Sequence, residues 1–160
     1  MALFKTLPIL LALLSLSVQA GEGAWDRGAP VLSEPVEMTV YRSPTCGCCG
    51  RWLEHMKKNG FAIKDIKTGD MDAVKRRYGV PKSLQSCHTA LVAGYVVEGH
   101  VPAGDVAELL KKRPGAVGLT VPGMPMGTPG MEMGGRADPF AVLEFDKDGT
   151  TRVFHEYGAK

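Results

Sequence analysis

The sequence predicts an α/β fold in which a mixed central sheet is covered by helices. Short runs with the two-residue alternation of β-strands take turns with longer runs whose apolar side chains recur every three or four positions. The 160 residues, 44% of them hydrophobic, are enough for one domain with an ordinary core. The 19 basic and 17 acidic side chains nearly balance, which argues against extended disorder and against a nucleic-acid partner.

The first half of the predicted domain is a strand–helix–strand unit. Residues 37–42 alternate between two faces and predict a strand, and residues 61–66 predict a second one. Between them, residues 48–59 predict a helix that Gly60 ends. The apolar face of this helix, at spacings of three and four, consists of Trp52, Leu53 and Met56.

The second half is predicted to contain a helix, two strands and another helix. Asp70 can cap the first of these helices. Residues 89–93 and 95–98 predict a hairpin that turns at Gly94, and residues 103–113 predict a helix with cations in its last turn. A βαβ half followed by a ββα half is the thioredoxin layout, so we predict a thioredoxin-like fold.

A stretch rich in glycine, proline and methionine follows at residues 114–135. Its 22 positions contain seven glycines, four prolines and four methionines, a composition that predicts an irregular loop. Beyond it, residues 142–145 and 151–157 predict a β-hairpin around the turn Asp146-Lys147-Asp148-Gly149.

The first twenty residues have the features of an export signal. A positively charged start precedes an apolar run at 7–18, and small residues lead to a cleavage site after Ala20. The run is short for a membrane span, so we expect no span after cleavage. We predict a signal peptide at 1–20, a flexible leader at 21–36 and a single domain at 37–157. The mature protein is expected in the periplasm of a two-membrane host, where its cysteines meet an oxidising environment.

Four cysteines are the strongest functional signal. Cys46, Cys48 and Cys49 lie where the first predicted strand passes into the first helix, and a helix N-terminus favours thiolates. Cys87 precedes the third predicted strand. In the thioredoxin layout the loop that enters this strand lies against the start of the first helix, so the topology predicts that the four sulfurs meet.

Three chemistries are open to such a cluster. Disulfide exchange would use Cys46 and Cys49 as a C-x-x-C pair, but thioredoxin-type enzymes carry a proline, usually cis, in the facing loop, where this chain has Ser86-Cys87-His88-Thr89. Two structural disulfides are the second alternative, although the adjacent Cys48 and Cys49 suit it poorly. Metal binding is favoured, because four thiolates suit Zn²⁺ or Cu(I).

The methionines of residues 114–135 favour copper over zinc. They are Met124, Met126, Met131 and Met133. Thioethers bind Cu(I) but hardly bind Zn²⁺. Alternatively these side chains cover the core as adaptable apolar fillers, and both roles can hold if the loop closes over the cysteines. His88 adjoins Cys87 and is a further candidate ligand, although it could instead donate to a sulfur or face solvent. His55, His100 and His155 receive no metal role from the sequence.

Four runs of the sequence together resemble a known family. They are Y-R-S-P-T-C-G-C-C-G-R-W at 41–52, L-Q-S-C-H-T-A at 84–90, E-G-H-V-P at 98–102 and V-P-G-M-P-M-G-T-P-G-M-E at 121–132. The chain resembles, over about residues 37–157, the exported copper-resistance proteins of the CopG type, catalogued as a domain of unknown function. The resemblance implies a thioredoxin-like fold and copper binding through Cys46, Cys48, Cys49 and Cys87. It also implies a role in copper tolerance, with a change of the metal's oxidation state as one route.

These observations lead to one principal hypothesis and two rivals. The principal hypothesis is a periplasmic protein that holds Cu(I) on the four cysteines and contributes to copper resistance. Its expected partners are copper ions and a periplasmic redox or copper-handling protein, and turnover would make it a copper or thiol oxidoreductase. The rivals are a thiol–disulfide oxidoreductase of exported proteins and a module that zinc merely stabilises.

Overall fold

The alternating and helical periodicities of the sequence produce one seven-stranded mixed sheet with helices packed on it. The structure is a computed structural model that describes Trp25 and residues 31–133 and 135–158. The elements in these residues are β1 Val36–Arg42, α1 Gly47–Lys58, β2 Phe61–Lys67, α2 Met71–Arg77, β3 His88–Val92, β4 Tyr95–Glu98, α3 Ala103–Lys112, β5 Gly118–Thr120, β6 Phe140–Phe145 and β7 Thr151–Tyr157. The predicted signal peptide at 1–20 lies outside the described residues.

The sheet has the strand order β2-β1-β3-β4-β5-β6-β7. Strand β1 pairs in parallel with β2 and antiparallel with β3, and β3 pairs antiparallel with β4. The predicted thioredoxin-like fold is therefore confirmed. The predicted C-terminal hairpin also forms, as β6 and β7, and extends the sheet beyond that unit.

Strand β5 is a difference from the sequence prediction. It lies inside the stretch 114–135, whose composition predicts only an irregular loop, and it pairs in parallel with β4. Three residues are too few to show an alternation in the sequence. Gly118 allows the pairing because a side chain there would collide with the backbone of Val96. Leu119 is fully buried in the core, so tertiary contacts select this strand.

The core lies between the sheet and the helices. Trp52 and Met56 of α1 are fully buried, as their spacing predicts, and Val106 and Leu109 of α3 are fully buried as well. Because α1 is anchored along its length, its first turn is held at the end of β1. None of the helices in the described part of the chain is long and apolar enough to cross a membrane.

Candidate metal centre

The first turn of α1 carries three of the four cysteines. Cys46 is the N-cap of this helix, and its Sγ accepts a hydrogen bond from the backbone N of Cys49 at 3.3 Å. Cys46 and Cys49 are joined by a disulfide, whereas Cys48 and Cys87 are free thiols. The C-x-x-C pair is thus in its oxidised form and sits where backbone N–H groups favour thiolates after reduction.

All four sulfurs meet at this turn. The Sγ atoms of Cys46, Cys48, Cys49 and Cys87 lie within 4.8 Å of one another, and those of Cys46 and Cys48 are 3.5 Å apart. Four thiolates around a tetrahedral ion, with metal–sulfur bonds of about 2.3 Å, stand roughly 3.8 Å from each other. The donor set therefore fits a soft metal ion once the disulfide has been reduced.

A second group of donors shares Cys87. The Sγ of Cys87 is 3.2 Å from Nδ1 of His88 and 2.9 Å from Nε2 of His100. The ligand atoms of these three residues also lie within 4.8 Å of one another. His88 begins β3 and His100 follows β4, so the antiparallel pairing of the two strands brings both imidazoles to Cys87.

His100 is held in the tautomer that a metal ligand needs. Its Nδ1 lies 2.7 Å from the carbonyl oxygen of Pro129, which can only accept, so Nδ1 donates its hydrogen. In the neutral ring Nε2 then presents a lone pair to Cys87. Burial keeps the pKa of His100 below its ordinary value, which favours this neutral form.

His88 is fully buried and incompletely satisfied. Its Nε2 has no hydrogen-bond partner among the described residues, and its ring lies on Trp52 with centroids 4.3 Å apart. Burial, followed by the neighbouring His100, holds the pKa of His88 well below its ordinary value. Of the alternatives for His88, exposure to solvent is therefore excluded, and a neutral imidazole faces the sulfur.

Cys87 is a protonated thiol at neutral pH when no metal is bound. Burial, and next the neighbouring Cys48, raise its pKa to about 12. The thiol hydrogen can be donated to the lone pair of His100 Nε2. A metal ion would replace this hydrogen, because thiols bind metals as thiolates.

The loop rich in glycine, proline and methionine packs on the first turns of α1. Gly130 has φ +84°, and a Cβ there would stand 2.7 Å from the backbone N of Trp52 and 2.8 Å from the carbonyl oxygen of Cys48. The side chain of Arg51 donates to the Gly130 carbonyl at 2.9 Å. Trp25, within the predicted leader, is buried and donates from Nε1 to the carbonyl of Gly127 at 2.8 Å.

The four methionines of this loop have different environments. Met131 is buried at 7% exposure, as an apolar filler would be, and Met126 is half-buried. Met124 and Met133 are 54% and 47% exposed and offer their thioethers at the surface. The other two histidines contact α3, where His55 Nε2 accepts from the backbone N of Ala103 and His155 Nδ1 bonds Asp105.

Sequence reasoning missed His100 at this site. Its partner Cys87 is 13 positions away, and neither a helical nor a strand spacing predicts that the two side chains meet. The available signal was the predicted hairpin, because antiparallel pairing places the residues after the second strand beside those before the first.

The fold and these donors define a class: thioredoxin-like proteins in which the cysteine turn of α1 is combined with further sulfur and imidazole donors able to hold a metal ion. The family model described as "Protein of unknown function, DUF411" matches residues 84–131. Two solved structures, "Copper resistance protein copG" in Form 1 and Form 2, are both 47% identical to this chain, with TM-scores of 0.74 and 0.73.

The match to these structures extends over nearly all of their length. It covers 78% and 77% of this chain and 99% and 98% of theirs. The chain belongs to the CopG copper-resistance family. No curated protein matches it. Family membership and the cysteine cluster together support a copper-related function.

Proposed function

We propose that this protein binds Cu(I) on Cys46, Cys48, Cys49 and Cys87 and contributes to copper resistance in the periplasm. The observation that supports this most directly is the meeting of four sulfurs within 4.8 Å at a helix N-terminus. Soft thiolate ligands select Cu(I) over hard cations. The disulfide between Cys46 and Cys49 must be reduced before all four sulfurs can bind.

The two imidazoles extend the proposed site. Cys87 belongs to both donor groups, and a thiolate can bridge two ions, so the proposed site would hold one copper ion or more. His88 and His100, whose ring nitrogens lie 3.2 Å and 2.9 Å from the Sγ of Cys87, would supply nitrogen donors. We assign the exposed thioethers of Met124 and Met133 a secondary role as soft donors at the surface of the loop.

Anaerobic titration of the reduced protein is expected to show tight binding of Cu(I) in preference to Zn²⁺. Bound metal is counted per chain, and each ion is then offered in competition with the other. The matched control is the same protein with its disulfide intact, which is expected to bind less Cu(I) because Cys46 and Cys49 are unavailable. Displacement of copper by zinc, or weak binding of both ions, would contradict the proposal.

The disulfide suggests how the site would exchange electrons with copper. Two Cu(II) ions and the Cys46–Cys49 dithiol would give two Cu(I) ions, the disulfide and two protons. A thiol reductant would then restore the dithiol and be oxidised itself. In this scheme Cys48 and Cys87 stay reduced, so their sulfurs remain metal donors whether the Cys46–Cys49 pair is a dithiol or a disulfide.

Catalytic amounts of the protein are expected to reduce excess Cu(II) over many turnovers when a thiol reductant is supplied. Formation of Cu(I) is followed with a colorimetric Cu(I) chelator, and the rate without protein is subtracted. Cys49→Ser serves as the control, because it cannot form the disulfide. A reaction that stops after one equivalent of dithiol has been consumed would identify a copper store, and the enzyme hypothesis would be wrong.

Thiol–disulfide exchange with exported proteins remains the second candidate. The disulfide at the N-terminus of α1 favours it, since this is the placement of thioredoxin-type redox pairs. The facing loop disfavours it, because Cys87 and His88 stand where a cis-proline would dock a peptide, and no peptide bond in the described residues is cis.

A further inference from the structure

A buried ion pair lies beneath the loop that carries Cys87. Lys75 of α2 contacts the carboxylate of Glu98 at the end of β4 through its Nζ atom. The two side chains are only 5% and 0% exposed. Burial raises the pKa of Glu98, and the ammonium group of Lys75 opposes this effect.

The same carboxylate binds both ends of the segment that presents Cys87 and His88. Its Oε1 accepts from the backbone N of Ser86 at 2.7 Å, and its Oε2 accepts from Oγ1 of Thr89 at 2.6 Å. Lys75 Nζ also contacts Oγ1 of Thr89 at 3.3 Å. Cys87 and His88 therefore lie between two hydrogen bonds that both end at the carboxylate of Glu98.

The third donor, His100, lies just beyond the end of the strand that carries Glu98. His100 follows Glu98 by two positions, and the backbone N of Gly99 donates to the carbonyl of His88 at 2.9 Å. Gly99 has φ +74°, and a side chain there would collide with Ser86. The close approach of these two segments sets the separation of Cys87 from His100.

We propose that Glu98 and Lys75 are positioning residues that hold Cys87 and His88 in the geometry of the metal centre. A buried ion pair contributes little net stability, because desolvation offsets its attraction, whereas loss of one partner disturbs every group that it binds. This inference rests on the proposed copper site for its purpose, but the geometry that it claims can be tested without copper.

The test is Glu98→Gln in the full, copper-free chain. Glutamine has the same shape, but its amide nitrogen cannot accept from Ser86 or Thr89, and Lys75 loses its counter-charge. Alkylation by iodoacetamide is measured separately at each free thiol by peptide mass spectrometry. Cys87 is expected to react about tenfold faster or more, the factor that corresponds to loss of one hydrogen bond to a charged group. The alkylation rate of Cys48, which lies on α1, is expected to change less than about twofold.

Asp105→Asn is the matched control. Asp105 is also a buried carboxylate, but it accepts its hydrogen bonds from His155 and Tyr157 of β7 and none from the Ser86–Thr89 segment. It is expected to leave the alkylation rate of Cys87 unchanged. If Glu98→Gln fails to fold, the double variant Lys75→Met/Glu98→Gln removes the unpaired charge and is expected to show the same faster reaction at Cys87.

Copper then separates the two proposals. Cu(I) is titrated into the wild type and into Glu98→Gln while the ultraviolet thiolate-to-copper band is recorded. We expect the variant to show a shifted band and about tenfold weaker binding.

An unchanged alkylation rate of Cys87 in Glu98→Gln, or an equal rise in the rates of Cys48 and Cys87, overturns the positioning role. Faster alkylation in a protein whose wild type binds no Cu(I) supports the positioning role and overturns the copper function instead.

Discussion

Replacing Cys87 by serine is expected to weaken Cu(I) binding about as strongly as replacing Cys46, although the two residues lie in different parts of the sequence. Cys87 belongs to both donor groups, so its loss removes one of four sulfurs and also separates His88 and His100 from the cluster. A serine hydroxyl is a hard, protonated oxygen and a poor ligand for Cu(I). Since loss of a group that only hydrogen-bonds a metal ligand already lowers metal affinity about 10–100-fold, we expect loss of a ligand to lower it about a hundredfold or more.

The measurement is anaerobic competition of each reduced variant against a chromophoric Cu(I) chelator, with copper counted per chain. Ser43→Ala is the control. Ser43 lies in the turn before the cysteines, and the contacts that the structure shows for its hydroxyl are to the neighbouring Thr45. A Cys87→Ser protein with full copper stoichiometry would refute the four-sulfur assignment.

Replacing Gly130 by alanine is expected to displace the loop from α1. The new Cβ would stand 2.7 Å from the backbone N of Trp52 and 2.8 Å from the carbonyl of Cys48. These are backbone atoms of a helix that its buried face fixes to the core, so they cannot move aside as a flexible side chain would. Alanine at positive φ adds a conformational penalty of about 1–2 kcal/mol, and the collision adds about 1–3 kcal/mol. Because Pro129 would move as well, His100 would lose the acceptor that fixes its tautomer.

Gly123→Ala is the matched control for this prediction. Gly123 lies in the same loop with φ +70°, but a Cβ there meets nothing within 4 Å, so it bears the conformational penalty alone. Chemical denaturation of both variants is expected to show a free energy of unfolding lower by about 3 kcal/mol for Gly130→Ala and about 1 kcal/mol for Gly123→Ala. Equal losses would show that the close approach of the loop to α1 has no energetic consequence.

The meeting of the four cysteines could be anticipated because two kinds of signal agree. The C-G-C-C run is local, and the helix that follows it has an apolar face that places its first turn at the end of β1. The contribution of Cys87 depends on chain topology, and the order of strands and helices is sufficient to predict it. The sequence does not decide which cysteines form a disulfide, whereas the structure joins Cys46 to Cys49.

The remaining parts of the site have no local signal. Strand β5 is three residues long and forms only because β4 and β6 are there to pair with it. Glu98 lies in a strand whose alternation does not predict a buried carboxylate. Lys75 lies in a short helix beside Arg76 and Arg77, and nothing in that run marks it as the buried cation. Their contact becomes visible only when the strand and the helix are packed together.

By itself the sequence determined the helices, the strands other than β5, the thioredoxin-like order and the helix start at which the cysteines meet, because periodicity, turns and helix starts depend on neighbouring residues. The tertiary structure alone decided that His100 faces Cys87, that Gly130 and Pro129 close against α1 and that Glu98 holds the Ser86–Thr89 segment. These contacts join residues that are far apart in the sequence, either on neighbouring strands or in a loop that has no regular hydrophobic period. Their energies arise from burial and hydrogen bonding, which exist only once the chain has folded.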